Sequence, residues 1–584
     1  MSSPIKPPSA LQPLTDHLNA ILLNPSDTPL DTGLVETFTA QLTEGQLKLL
    51  VPSLVPLISS TLFVLHEDPS PLTTLLRSLL STTSFSEILP LATPEIILQT
   101  LSAPVPPIQL LGIALLQKAA LAVSDAGIVA SWTDVIKKLL ELMLASEDTG
   151  ISSKSLDLLL SLLKVDSPKA NGTGLVWRRI LEDRGVYELF FKLCSWDGDA
   201  LPGGKRGKTE GQGRLLEFVA KLAELDFSAI VASRFPEIEE KFSISADDPC
   251  RGLLDFAARH AVRVDDDVMM HMLLLDFYAA LLSSAGSAQA SAERPLDYLH
   301  KSGLHESTIG RYLAPEAHSD DFDDFLTQNF LESKAAEYIA TFASLHAKEL
   351  LAEPAPAIPD SRQPKRRRTS DTPTRANPKP LTQALLERIQ FCIEECPQHP
   401  HSPSLRILKS LPPSLLITSY PASVVSKIPL SPPQAAYISA LSSLFATREI
   451  YFAYSDAHPE LWQTLLKYAS TPALCNEALA SLDLIEKLSQ NGVWGLREVL
   501  ESPGVMTYLI TPNSRYAAGG GDPESSVFKI SVKKWETLNA IERALGEWRD
   551  EVPGAIGWGV VIAERARTGV WGSRAGGEVA TAEM

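Results

Sequence analysis

The chain has 584 residues, 45% of them apolar, and a net charge of −18. That length holds three or four ordinary domains or one long repeat array. The acidity argues against a protein that tracks a phosphate backbone, which needs Lys and Arg to displace counterions, and suits a basic protein partner.

The first segment, "MSSPIKPPSALQPL", has prolines where a secretory leader needs an apolar run, and residues 1–9 are expected to be disordered. The greasiest stretch, residues 50–66 ("LVPSLVPLISSTLFVLH"), is interrupted by Pro52, Pro56 and serines. It is expected to fall short of the ~18 clean apolar residues of a membrane span. Five scattered cysteines, Cys194, Cys250, Cys392, Cys396 and Cys475, fit a reducing compartment better than a disulfide framework. The expected location is cytoplasmic and nuclear, with no membrane association.

Helical periodicity dominates from there. Ile136, Leu139, Leu140 and Met143 share one face, as do Leu156, Leu159, Leu160 and Leu163. Lys154, Asp157, Ser161 and Lys164 form a narrow polar stripe, so that helix is wet on one side only. Residues 201–214, "LPGGKRGKTEGQGR", imitate a phosphate-binding loop. Counting back from Gly207-Lys208-Thr209 puts Pro202 where a Walker A motif needs its first glycine, and no strand precedes it. The segment reads instead as an exposed insertion solvated by Lys205, Arg206 and Lys208.

Leu215, Phe218, Val219 and Leu222 resume the helical pattern, and Leu274, Phe277, Tyr278 and Leu281 continue it. His260, His271, Met269, Met270 and Met272 read as helical core. The acidic clusters Asp265, Asp266, Asp267 and Asp320, Asp321, Asp323, Asp324 lack a calcium-loop glycine. They read as helix N-terminal charge, the second cluster also as an acidic contact surface. No Gly-x-Ser-x-Gly, His-Glu-x-x-His or Rossmann fingerprint occurs, so no catalytic residue, metal or cofactor is assigned and the chain is expected not to be an enzyme.

Residues 352–380 hold seven prolines and almost no large apolar side chain. Such a segment cannot offset its chain entropy and is expected to be disordered, dividing residues 10–350 from residues 381–550. Within it, Lys365, Arg366, Arg367 and Arg368 fit a nuclear import signal, with Thr369 and Ser370 placed to mask it when phosphorylated. Cys392, Cys396, His399 and His401 are zinc-compatible residue types, but their crowding reads better as a helix end with Cys392 packed inward. Residues 551–584, rich in Gly and Ala, are expected to form a flexible tail with Trp558 and Trp571 partly docked.

Two distant segments repeat one another. Arg178, Leu181, Glu182, Gly185 and Val186 match Arg497, Leu500, Glu501, Gly504 and Val505, each set following a leucine-rich helix, an Asn-Gly loop and a Val-Trp pair. Gly185 and Gly504 are expected to take φ > 0 between helices. A recurring helix–Gly–helix unit marks an all-α, HEAT/armadillo-like α-solenoid, a superhelix of antiparallel helix pairs.

Three segments, "GISSKSLDLLLSLLKV", "RRILEDRGVYELFFKL" and above all "LREVLESPGVMTYLITP" with the Lys-rich helix from about Lys529, resemble the 26S proteasome non-ATPase regulatory subunit 5 family. The fungal branch of that family was first named for mismatch repair. The likeness is firmest over residues 475–548, in Ser502-Pro503-Gly504-Val505 and Tyr508-Leu509-Ile510. The chain departs from the family in its basic linker and its Gly-rich insertions at 198–213 and 517–523. The resemblance implies a monomeric assembly chaperone that holds the C-terminal domain of one proteasome base ATPase subunit, regulatory-particle ATPase 1, without direct nucleic-acid contact. The alternative reading is an importin-like or repair-associated adaptor, although the regularly placed groove Trp and Asn residues of an importin are not seen repeat by repeat.

Overall fold

A computed structural model describes residues 8–196, 201, 203–245, 248–264, 267–284, 294–313, 322–356, 379–395, 402–412, 435–513, 522–548, 551–552 and 555–571. Among these, the only β pairing is two isolated bridges. The chain divides into two compact units, residues 1–298 and 299–584.

The first unit opens with α1 (Leu11–Leu23), α2 (Thr32–Gln41), α3 (Glu44–Val64), α4 (Ser70–Leu79), α5 (Phe85–Ile88), α6 (Pro94–Leu101) and α7 (Pro106–Gln117). It continues with α8 (Val123–Ser131), α9 (Thr133–Ala145), α10 (Thr149–Val165), α11 (Leu175–Leu181), α12 (Arg184–Cys194) and α13 (Gly204–Val231). The short α14 (Pro236–Lys241) and α15 (Gly252–Asp255), then α16 (Val268–Ser283), follow, and α17 (Pro295–Lys301) spans the boundary, its last residues from Leu299 belonging to the second unit. Every third helix forms a row: α4 packs on α7, α7 on α10, α10 on α13 and α13 on α16, while α6, α9 and α12 form a second row. A helix that is apolar on most sides can bury itself only between neighbours of this kind, and each layer supplies the next one's partner.

The second unit holds α18 (Leu304–Leu313), α19 (Phe322–Leu345), α20 (Ala347–Ala352), α21 (Leu381–Glu395) and α22 (Ser402–Ser410). It ends with α23 (Ala435–Leu444), α24 (Arg448–Ala457), α25 (Leu461–Ala469), α26 (Cys475–Ser489), α27 (Gly492–Glu501), α28 (Val505–Ile510), α29 (Ser526–Trp548) and α30 (Ala555–Arg567). Here α19, α22, α23, α26 and α29 stack in sequence, with α25 and α28 alongside. The fold is an all-α solenoid of stacked helix pairs.

Four expectations are corrected by the structure. Pro52 and Pro56 do not end α3: both lie inside the helix and are exposed, so their rings face solvent and not the core. Gly45–Val64 is therefore continuous, with mean hydropathy 1.8 and only 33% of the stretch buried, and by length and composition is long and apolar enough to cross a membrane. The Gly-rich stretch is not an exposed loop, since α13 starts at Gly204. Gly211 lies so near α9 that an added Cβ would sit 2.8 Å from the Leu144 carbonyl oxygen. Lys208 is buried, donating to the Ser195 carbonyl at 2.9 Å. The Pro-rich segment does not separate two arrays. Its flanking helices α20 and α21 pack together within one unit, Ala355 N–H donates to Lys379 O, and Leu381 N–H donates to Glu353 O. Finally, residues 555–567 are helix, not loose tail: Trp535 Nε1 donates to Ala566 O and Arg565 Nε to Ile510 O.

Candidate protein-binding surfaces

In α10 and α26 the leucine faces are buried, and each is followed by two short helices in the same order. The matched Leu181, Leu500, Val186 and Val505 are buried, while Arg178, Glu182, Arg497 and Glu501 are exposed. The repeat therefore conserves a seam, not a reactive face. Gly504 takes φ +80° at the start of α28, as expected. Gly185 does not: it lies inside the first turn of α12, where Asp183 caps the helix by accepting from the Gly185 and Val186 N–H groups. What glycine supplies there is room, because a Cβ would come within 3.1 Å of Lys137 Nζ.

The polar loop after α10 is organised by Asp166, which is fully buried. Its carboxylate accepts from Thr173 N and Oγ1, Gly174 N and Val176 N, at 2.6–3.1 Å. Asn171 turns the chain at φ 63°, and Gly172 passes so close that a Cβ would lie 2.2 Å from the Asp166 carbonyl carbon. Two further buried carboxylates work the same way. Glu239 accepts from Tyr187 Oη, Ser233 Oγ and the Arg234 N–H. Asp255 accepts from the Arg251 N–H, Arg259 and Tyr298 Oη. Burial opposes ionisation of Asp255, yet His260, the Arg251 N–H and Arg259 hold its carboxyl below the usual range. Sequence reading missed all three carboxylates: Asp166 bonds mainly to backbone N–H groups, which leave no residue signature, and the Tyr187 and Tyr298 partners of Glu239 and Asp255 lie 52 and 43 residues away.

The buried thiols are unsuited to nucleophilic work. Burial pushes Cys194 up to about 12, and Cys250 and Cys392 also rise. His260 and Met270 are core residues as expected, but Met269 is 65% exposed. Asp267 caps α16 by accepting from Met270 N–H. Asp265, Asp266, Asp320, Asp321, Cys396, His399, His401 and Lys365–Arg368 lie outside the described residues, as do the side chains of Asp323 and Asp324, which belong to α19.

Two depressions stand out among the described residues. One, of about 380 Å³, lies between α8 and α11 and is lined by Ala130, Arg178, Arg179, Glu182 and Asp183. Arg179 fills part of it, donating to Ala130 O at 2.8 Å and to Asp183 at 2.6 Å. The other is an apolar groove of about 410 Å³ across α3–α7, whose walls include Val55, Phe63, Leu76, Ile96, Ile108 and Leu115. Phe63 is 62% exposed and Ile96 40%. Apolar surface gathered in a groove, and not scattered singly, is the usual ground for protein contact.

Residues within 475–548 hold the helix stack together. Tyr508 Oη donates to Ala469 O at 2.7 Å, Lys533 bridges Asp483 and Glu486, and Lys534 donates to Thr511 O. They fix the stacking of α25, α26, α28 and α29.

No protein-family model matches the chain, and no curated protein does. Solved structures similar to it include yeast importin-beta (Kap95p), 12% identical over 96% of this chain and 68% of that one, TM-score 0.46. Kap121p bound to Ste12p is 11% identical over 96% and 61%, TM-score 0.41, and an engineered protein is 12% identical over 91% and 98%, TM-score 0.32. Likeness at this level carries no functional argument; the solenoid assignment rests on the helix rows.

Proposed function

We propose that this chain is a protein-binding α-solenoid that chaperones assembly of the proteasome regulatory particle. It holds the C-terminal domain of a base ATPase subunit, regulatory-particle ATPase 1, and blocks premature association by occupying its surface. The observation that carries the protein-binding part is the open apolar groove on α3–α7, in a unit whose buried carboxylates are committed to holding its own turns. The chaperone part rests on the resemblance at residues 475–548, where the shared residues build the helix seam. The net charge of −18 favours a client with basic surface.

The test is affinity purification of the tagged full chain from cells, with partners identified by mass spectrometry. Base ATPase subunits recovered with few core-particle subunits support the chaperone. Cargo complexes that dissociate with the GTP form of Ran would replace it with the importin-like adaptor.

A further inference from the structure

Among the described residues, two clusters of metal-ligating types bring histidine together with acidic side chains, and their hydrogen bonding separates them. In Cys250, Asp255 and His260 the three ligand atoms lie within 4.8 Å of one another. There His260 Nδ1 accepts the Ile244 N–H, so its proton sits on Nε2, the nitrogen 3.6 Å from Asp255. Arg259 adds positive charge on the same carboxylate. That cluster is built around a cation it already has.

The second cluster, in the second unit, is built differently. We propose that His300, His305 and Glu353 form a binding site for a divalent transition metal of the zinc type. His300 lies at the end of α17 and His305 in the first turn of α18, the chain turning between them at Gly303, φ +72°. Glu353 follows the last turn of α20. Their ligand atoms also lie within 4.8 Å of one another. His305 Nε2 stands 3.0 and 3.2 Å from the two Glu353 oxygens. The edge of a tetrahedron of zinc ligands is about 3.3 Å for bonds of about 2.0 Å, so small adjustments would seat an ion.

The outer contacts fit as well. His300 Nδ1 is held by Glu306 Oε1 at 2.8 Å, and His305 Nδ1 by Tyr338 Oη at 2.6 Å. Each pairing leaves Nε2 as the ligand atom and fixes the ring, the arrangement that metal-binding histidines share. Tyr338 and His305 are fully buried, so the orientation is rigid. The carboxylates of Glu353 and Glu306 would together offset a dication, and Glu306 Oε2 is buried without a hydrogen-bond partner. Without metal, His305 Nε2 and the Glu353 carboxylate contact one another directly, and the ion would stand between them. Occupancy would tie α17 and α18 to the point where Glu353 O and Leu381 N–H join the two flanks of the Pro-rich segment. This inference does not depend on the chaperone reading.

The test is cobalt titration of chelator-stripped full-length protein. The expected result is one equivalent of Co²⁺ with the visible ligand-field band of a tetrahedral site, displaced by Zn²⁺. His300→Ala, chosen because that side chain is 34% exposed and tolerates truncation, and Glu353→Gln should each weaken binding at least ~10-fold. Glu306→Gln should weaken it less, with all three variants folded by circular dichroism. No tetrahedral band, a band unchanged in both ligand variants, or a band abolished only by Cys250→Ala would overturn the assignment.

Discussion

Lys534 stands over the Tyr508 ring, its Nζ 3.9 Å from the ring centroid, and the same ammonium donates to the Thr511 carbonyl at 2.5 Å. Burial, with Arg565 nearby, pushes Lys534 down to about 8 from its ordinary 10.5. The folded state therefore releases this proton near pH 8, while the unfolded chain keeps it until the ordinary lysine value. Between those limits the unfolded state binds more protons, so stability rises with pH; below the lower limit the penalty is fully present.

Lys534→Met should remove that dependence. Relative to wild type, the variant should lose roughly 3 kcal/mol of advantage as pH rises from about 7 to about 10. Urea unfolding at several pH values measures it, and parallel profiles for the two proteins would show that the group titrates normally.

Gly172→Ala should destabilise the first unit by about 3 kcal/mol or more, since its Cβ would collide with the backbone of Asp166 at 2.2–2.3 Å and displace the loop that caps α11. Gly310→Ala is the matched control. It lies inside α18 with nothing within 4 Å of a new Cβ, and should stabilise by ~0.5–1 kcal/mol. Thermal unfolding of both variants gives the comparison, and equal effects would contradict the packing at Gly172.

Phe63→Asp and Ile96→Asp should change stability by no more than about 0.5 kcal/mol, because both side chains are well exposed. Each should weaken client binding ~10-fold or more, equivalent to about 1.4 kcal/mol. Undiminished binding in the double variant would place the contact elsewhere on the chain.

Replacing Lys365, Arg366, Arg367 and Arg368 together by alanine should exclude a fluorescently tagged chain from nuclei. Unchanged nuclear signal would end the import reading of that run.

The helix rows were legible because Leu156, Leu159 and Leu163 repeat at helical spacing, and all three are buried. The start of α13 was not, because its glycines read as loop residues. One of them, Gly211, brings the backbone against Leu144, which no local pattern reveals. Gly504 was read correctly from turn chemistry, whereas at Gly185 the Asp183 cap makes the turn and leaves glycine a packing role. Pro52 and Pro56 misled by residue type alone, since a proline on the outer face of a helix can be accommodated. His300, His305 and Glu353 went unnoticed because the carboxylate lies 48 residues from His305 in sequence, and only the folding of α17–α20 joins them.

The central claim is that this solenoid grips a folded client. Its most direct measurement is isothermal titration of the purified full chain with the isolated C-terminal domain of regulatory-particle ATPase 1. A saturable one-to-one complex, weakened by Phe63→Asp, is the predicted result. Absence of binding to that domain at concentrations of about 100 µM, from a chain shown to be folded, would contradict it.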